Sequence, residues 1–229
     1  MDDDRARRDV AALGDFFALE EADAGGDWRP VTDLLTGPEL GERVAVTGAA
    51  LARSCGSDVE PRVAASTTSL GLFARLLSPA IGAAVLDLPG PMHNGLQWRV
   101  AQAGPVPLRT AVWGAGSLEA MVSGVVEPLA ARFTDEHALA EAIVRGNTAS
   151  AVMGSVRMVV SARADLAPAA ERVASSLLDS AFLAGTALPG APFVRRSCCL
   201  YYRLPGGGYC GDCVLAPQHR ERVAADQRS

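Results

Sequence analysis

Residues 197–214 read SCCLYYRLPGGGYCGDCV, and four of the chain's five cysteines fall inside them. Written as spacing, the stretch is C-C-x10-C-x2-C, with Cys198, Cys199, Cys210 and Cys213 as candidate metal ligands. A Cys-x-x-Cys step lets a chain turn a tight knuckle and set two thiolates on one centre. Gly211 suits that turn because glycine tolerates backbone angles that other residues resist. The adjacent pair is less usual. Neighbouring side chains on an extended strand point to opposite faces, so Cys198 and Cys199 converge only if the backbone bends or coils there. Between the pairs, LYYRL has strand-forming residues, and Pro205 followed by Gly206, Gly207 and Gly208 supplies a turn. The chain is therefore expected to double back as a cysteine-rich hairpin.

Three readings fit four thiols so placed. A [2Fe–2S] cluster takes two thiolates per iron, a structural zinc ion takes all four, and without metal the residues are two disulfides or free buried thiols. In a reducing cytosol, clustered cysteines read as metal ligands or redox groups before they read as disulfides. Neither the plant-type ferredoxin spacing nor the bacterial ferredoxin run is present, so spacing alone leaves the choice open.

The order C-C (Cys198-Cys199), Y-R-L-P (Tyr202-Arg203-Leu204-Pro205), C-G-D-C (Cys210-Gly211-Asp212-Cys213) resembles the C-terminal signature of the FhuF-like ferric siderophore reductases. The resemblance implies a [2Fe–2S] cluster on the four cysteines, with Arg203, Gly211 and Asp212 as neighbours that help set its potential. It implies one-electron reduction of siderophore-bound iron(III) to release iron(II). The partners so implied are a ferric siderophore of hydroxamate type and an electron donor such as a ferredoxin or flavin reductase. The matching block spans fewer than twenty residues; over the preceding body the likeness is only that of a helical chain with its cluster motif near the end. Two other classes stay open: a zinc-stapled module that binds a siderophore or a protein without redox activity, and a [2Fe–2S] electron carrier or sensor.

Composition bounds the rest. Hydrophobic residues make up 49% of the 229 and aromatics only 5%, so the core is built mainly from Ala, Val and Leu, which suits close-packed helices. The net charge of −5 argues against a nucleic-acid partner. Residues 191–229 carry six arginines (Arg195, Arg196, Arg203, Arg220, Arg222, Arg228) against Asp212, Glu221 and Asp226, a net of +3, which leaves −8 on residues 1–190. Arginines near a tetrathiolate cluster favour its more negative, reduced state; Arg220, Arg222 and Arg228 read as a solvated tail. The opening MDDDRARRDV lacks the apolar run of a signal peptide, so a cytoplasmic location is expected. The longest apolar stretch, near residues 76–88, is interrupted by Pro79 and Asp87, so no transmembrane segment is expected, while peripheral membrane contact stays open.

The pattern along the chain is mainly α with a small antiparallel β element. Apolar spacing predicts helices over residues 4–24, through Leu40, Val44 and Leu51 to Cys55-Gly56, and from Pro61 onward. A breaker-rich segment from Pro79 to Pro105 holds two alternating runs, 96–101 and 106–113, expected to pair as a hairpin with Pro107 at a sheet edge. Trp98, Arg99, Arg109 and Trp113 lie on it as candidates for contacting a bulky, partly apolar ligand, against the commoner role of tryptophan as a core anchor. Ser117 and Thr134 are expected N-caps. A long stripe from Leu139 to Val160 follows, with Gly146 and Gly154 read as packing positions and Asn147 as its polar exception. A last helix over 166–184 ends at Gly185, and GTALPGAPF links it to the cysteines. The division expected is a helical body, 1–190, holding a docking part around the hairpin near 96–113, and a cluster-binding module, 191–229. His93, His137 and His219 are scattered, with His219 read as solvated beside the module.

The ligand set predicts that Cys199→Ser or Cys213→Ser abolishes or strongly alters the visible absorption of the cluster in the purified protein, whereas Cys55→Ser leaves it unchanged. Bleaching by Cys55→Ser alone would overturn the assignment.

Overall fold

The computed structural model describes residues 3–21, 25–102, 104–110, 112–226 and 228. Helices dominate: α1 (Asp3–Ala11), a short α2 (Asp33–Thr36), α3 (Glu39–Cys55), α4 (Pro61–Val85), α5 (Leu118–Met121), α6 (Glu127–His137), α7 (Glu141–Ala162), α8 (Ala167–Leu178) and α9 (Arg220–Asp226). Five short strands accompany them: β1 (Arg29–Pro30), β2 (Gly90–Pro91), β3 (Leu96–Trp98), β4 (Leu108–Thr110) and β5 (Trp113–Gly116). The mainly α reading with a small antiparallel element holds.

α4 is the axis of the fold. Pro61 opens it, a position where the missing N–H costs nothing, and 18 of its 25 residues are buried. Its most extensive packing is along α7, where Ser78 Oγ meets Ser155 Oγ at 2.8 Å in the buried seam. Pro79 was expected to end this helix and does not. A proline deletes one rung of the ladder, but here apolar burial on nearly every side holds the helix on both flanks of the gap. By length and composition α4 would span a membrane, which corrects the expectation that no stretch qualifies. Its most apolar window is 78% buried inside the protein, which makes it the core helix.

The first helix is shorter than its apolar spacing suggests. It ends at Ala11, and Gly14 follows with φ of 133°. The carbonyls of Phe16 and Ala18, which a longer helix would use internally, accept instead from the buried guanidinium of Arg75 on α4, whose Nε reaches Val106 O at 2.9 Å. Burial lowers the pKa of Arg75 to about 10, partly countered by Glu20, and its three carbonyl partners tie residues 16–18 and the approach to β4 onto α4. Phe17 then packs on Gly82, where a methyl group would stand 2.8 Å from its ring.

The expected hairpin forms, with two differences. β3 pairs antiparallel with β4 in the register Leu96↔Thr110, Gln97↔Arg109 and Trp98↔Leu108, and β1 adds to the other side of β3, so β4 does lie at the edge of that sheet, just after Pro107. The second run breaks after Thr110, whose hydroxyl bonds both the O and the N of Val112. Trp113 thereby joins a separate pair with β2.

Ser117 caps α5, accepting from Ala120 N at 3.0 Å. Thr134 is not a cap: it lies within α6, its hydroxyl donating to Ala130 O at 3.2 Å. A π-helical turn, Val122–Val126, and Pro128 near its start carry the chain into α6 well before residue 134, and the break comes at Ala138, at φ 50°. α8 stops at Leu178, where Ser180 Oγ takes the N–H of Leu183, a local bond that competes with helix.

Gly82→Val is expected to lower stability by about 1–3 kcal/mol through overpacking against Phe17 and Leu13. Gly41→Ala, whose methyl meets nothing within 4 Å in α3, should be neutral or gain up to about 1 kcal/mol. Urea midpoints of the two variants check the pair.

Candidate metal centre

The cysteines sit on two arms laid against α4 and α7. The first arm begins where residues 187–195 fold back: Ala187 bridges Arg195, Leu188 N donates to Val194 O at 2.8 Å, and Arg196 N donates to Thr186 O at 2.8 Å. The expected linker is thus a structured turn. Arg195 N donates to Asp212 O, which joins the first arm to the second.

Between the arms no strand forms. Leu200 adopts a left-handed conformation, φ 66°, and Tyr201–Arg203 make a 3-10 turn, so LYYRL coils where strand was expected. The coil is the bend that adjacent cysteines require: it brings Leu200 N to within 3.3 Å of Cys198 Sγ. Glycines at positive φ, Gly206 and Gly208, complete the reversal. The Cys-x-x-Cys knuckle closes through Cys213 N to Cys210 O at 3.1 Å. Gly211 is exposed there at an ordinary φ, with nothing within 4 Å of an added methyl.

The arms bring all four thiols together. Cys199 and Cys210 sulfurs are 3.6 Å apart, and the Cys198 thiol interacts with those of Cys199 and Cys213. Cys199 and Cys213 are buried; Cys198 and Cys210 are half-buried. Cys55 stands apart at the end of α3, half-buried rather than buried, its sulfur toward Ala52 O. Contact with Cys199 and then burial push the Cys210 thiol up, burial pushes Cys213 up, and contact with Cys199 pulls Cys198 down. Among the described residues no three His, Cys, Asp or Glu side chains stand as ligands to a single ion.

A buried polar cage holds this arrangement. Arg195, 1% exposed, donates from one nitrogen to Cys210 Sγ at 2.9 Å and from another to Asn147 Oδ1 at 2.6 Å. Asn147, on α7, donates in turn to Ser66 O, Ser66 Oγ and Ser69 Oγ on α4. Ser66 Oγ donates to Cys199 O at 2.7 Å. Burial works against the Arg195 charge, and Cys199 and Cys210 outweigh it, so its pKa rises. Gly146 is a packing position, but against the module: a methyl there would fall on Ser197 Oγ. Arg195 Nε and Ser197 Oγ are buried without partners, donors of the kind a sulfur-rich anion takes.

The other expected site residues occupy two settings. Asp212 takes the guanidinium of Arg157 at 3.2 and 3.4 Å, while Arg203 pairs at the rim with Glu60, 2.8 Å away, ahead of α4. Trp98 (1% exposed) and Trp113 (6%) are core anchors, and Arg99 and Arg109 lie over the ring of Trp28. His219, read as solvated, is buried in the turn before α9. Arg195, Asn147, Ser66 and Arg157 were not singled out as site residues from sequence. Asn147 had a signal, as the amide that interrupts an otherwise apolar and small-residue stripe; Arg195 was one arginine among six.

Four thiols on two arms, backed by a buried arginine and a backbone amide donor, are the donor set of a metal- or cluster-binding protein. Residues 195–215 match the FhuF 2Fe-2S C-terminal domain, so the cysteine segment is FhuF-like and its cofactor is a [2Fe–2S] cluster; Cys198, Cys199, Cys210 and Cys213 all fall within the matched residues and are its candidate ligands. No curated protein matches the chain.

Arg195→Gln keeps a donor and removes the charge. It is expected to lower the midpoint potential by about 60 mV or more, the one-electron equivalent of a tenfold change, with the cluster still assembled; spectroelectrochemical titration measures it. An unchanged potential would reduce Arg195 to a packing role.

Proposed function

We propose that this protein is a ferric siderophore reductase that works in the cytoplasm. The observation that carries the reading is the FhuF 2Fe-2S match over the one segment where all four clustered thiols meet, two of them half-buried and near the surface. Iron(III) is held by hard hydroxamate oxygens far better than iron(II), so one added electron weakens the chelate and frees the metal. The bound cluster supplies a one-electron relay between a reduced donor, such as a ferredoxin or flavin reductase, and the chelated iron. The chain's own residues do the rest. The thiols of both arms would hold the relay near the surface, Arg195 and Leu200 N donate to Cys210 Sγ and Cys198 Sγ, and Asn147 with Ser66 and Ser69 keeps Arg195 in place. No covalent chemistry on the siderophore is needed.

The decisive experiment reduces the protein anaerobically, adds a ferric hydroxamate and follows reoxidation of the cluster while trapping iron(II). Reoxidation with stoichiometric iron(II) is expected; a cluster that stays reduced would overturn the reading. The −8 balance of residues 1–190 adds a second expectation. Across one hydroxamate scaffold with varied pendant charge, cationic chelates should react fastest at low salt, and the spread should vanish as screening shortens to ~3 Å near 1 M. Equal rates at low salt would remove steering from the account.

A further inference from the structure

All three tyrosines of the chain, Tyr201, Tyr202 and Tyr209, lie on the stretch that separates Cys199 from Cys210, and they are 38%, 42% and 52% exposed. Leu215, two residues past Cys213, is exposed as well. The chain is only 5% aromatic and keeps Trp98 and Trp113 in its core, yet around the cluster ligands it leaves its aromatic rings uncovered. We propose that this tyrosine surface is the docking site of the electron donor, and that the donor is a small acidic protein with a one-electron centre near its own surface. The inference rests on the reductase reading and gives the donor a place on the molecule.

Position and rigidity carry the first part. Tyr209 is bonded directly to Cys210, and Tyr201 follows Cys199 by two residues, so a protein seated on these rings stands beside two cluster ligands. Electron transfer weakens steeply with distance, which makes this the surface a donor gains most by covering. The loop is also fixed before any partner arrives. Leu204 is buried and anchors it, Leu204 N donates to Tyr201 O at 3.0 Å, and Gly207 N donates to Leu204 O at 2.8 Å. A methyl at Gly207 would stand 2.5 Å from Tyr201 O, so the turn closes tightly only around a glycine. Across it Tyr202 and Tyr209 stack, with ring centres 6.3 Å apart and planes 29° apart. A preordered aromatic pair loses little conformational freedom when it is covered, and tyrosine and arginine are enriched among the residues that anchor protein interfaces.

Charge selects the partner. Arg203 is the only charged residue in 200–211, and its side chain stays 43% exposed beside its rim pair with Glu60. Residues 191–229 carry a net of +3 against −8 on residues 1–190, and the segment stays positive after the two negative charges of an oxidised tetrathiolate cluster are added. An acidic protein is therefore drawn to the segment that holds the cluster and repelled by the rest of the chain. A second copy of this chain docked by the same surface would bring two positive segments together. Each docking event transfers one electron: the donor's centre is oxidised by one and the cluster reduced by one, with no bond made or broken.

The test uses the cluster-loaded full chain and, as probe, a fully reduced acidic flavodoxin, whose flavin absorption is read apart from that of the cluster. Dithionite serves as the small reductant that needs no docking surface. Stopped-flow mixing gives the second-order rate constant of cluster reduction by each. Tyr202→Ser combined with Tyr209→Ser should slow reduction by flavodoxin about tenfold or more at low salt, with the dithionite rate, the cluster spectrum and the midpoint potential unchanged. Tyr202→Phe combined with Tyr209→Phe keeps the rings and should keep most of the rate. The wild-type flavodoxin rate should fall as salt is added; a rate that is flat or rises overturns the acidic partner. Equal flavodoxin rates in wild type and the serine pair overturn the docking surface, and so does an equal slowing with dithionite, which would make the rings part of the cluster's own surroundings. Slower reoxidation by a ferric hydroxamate with unchanged reduction by flavodoxin assigns the surface to the chelate, and a wild-type dimer that the serine pair dissociates, again with unchanged reduction, assigns it to a second copy; either overturns the proposal. A serine pair that slows flavodoxin, in a protein whose wild-type cluster no ferric chelate reoxidises, upholds the surface and overturns the reductase reading. Reoxidation of the wild type by the chelate, with the serine pair reduced by flavodoxin at the wild-type rate, does the reverse.

Discussion

One guanidinium ties the cysteine arms to the helices they lie against. Arg195 is buried between Cys210 on the second arm and Asn147 on α7, and its own backbone N–H holds Asp212. A buried cation is costly unless it is paired and its hydrogen bonds are made. Here the partners are a cysteine sulfur and an amide oxygen, so the charge is matched only while the cysteine arms lie against α7. Loss of the cage would strand a charge, an amide and two serine hydroxyls in the interior together.

The body is built to present that cage. α4 and α7 are small-residue helices whose seam is mostly apolar, and at one end the seam turns polar through Ser66, Ser69 and Asn147. Gly146, one residue before Asn147, lets the cysteine arm come close enough to reach it. Arg75 does related work elsewhere on α4, holding the carbonyls of irregular chain so that segment needs no helix of its own. Both arginines are single cations inserted where loops have carbonyl or sulfur acceptors to satisfy.

A relay needs a protected interior side and an accessible side. Cys199 and Cys213 are buried, and Cys198 and Cys210 are half-buried, Cys210 lining a surface hollow that the Arg157–Asp212 pair borders. On another part of the module's surface Tyr202 and Tyr209 stack, both exposed, with ring centres 6.3 Å apart. The module therefore has unlike surfaces around its four thiols, one an aromatic surface and one a hollow.

Sequence alone determined where the four clustered cysteines stand in the chain and the helical class. Cysteine spacing is a covalent fact that no packing alters, and apolar spacing marked α4 and α7 because they are buried along most of their length, and α3 through Leu40 and Val44. It also marked strands β3 and β4, whose alternation reports a half-buried sheet. What only the tertiary structure decided were matters of competition between near-equal local states. Pro79 stays helical because its surroundings are buried on nearly all sides; the chain after Ala11 stays irregular where Arg75 takes the carbonyls of Phe16 and Ala18; Thr134 lies inside a helix that starts upstream. The choice of Arg195 among six arginines was equally beyond reach of the sequence, since a guanidinium's role depends on which acceptors, often far along the chain, meet it. Asn147 and Cys210 lie 48 and 15 residues from it, and only folding makes them neighbours.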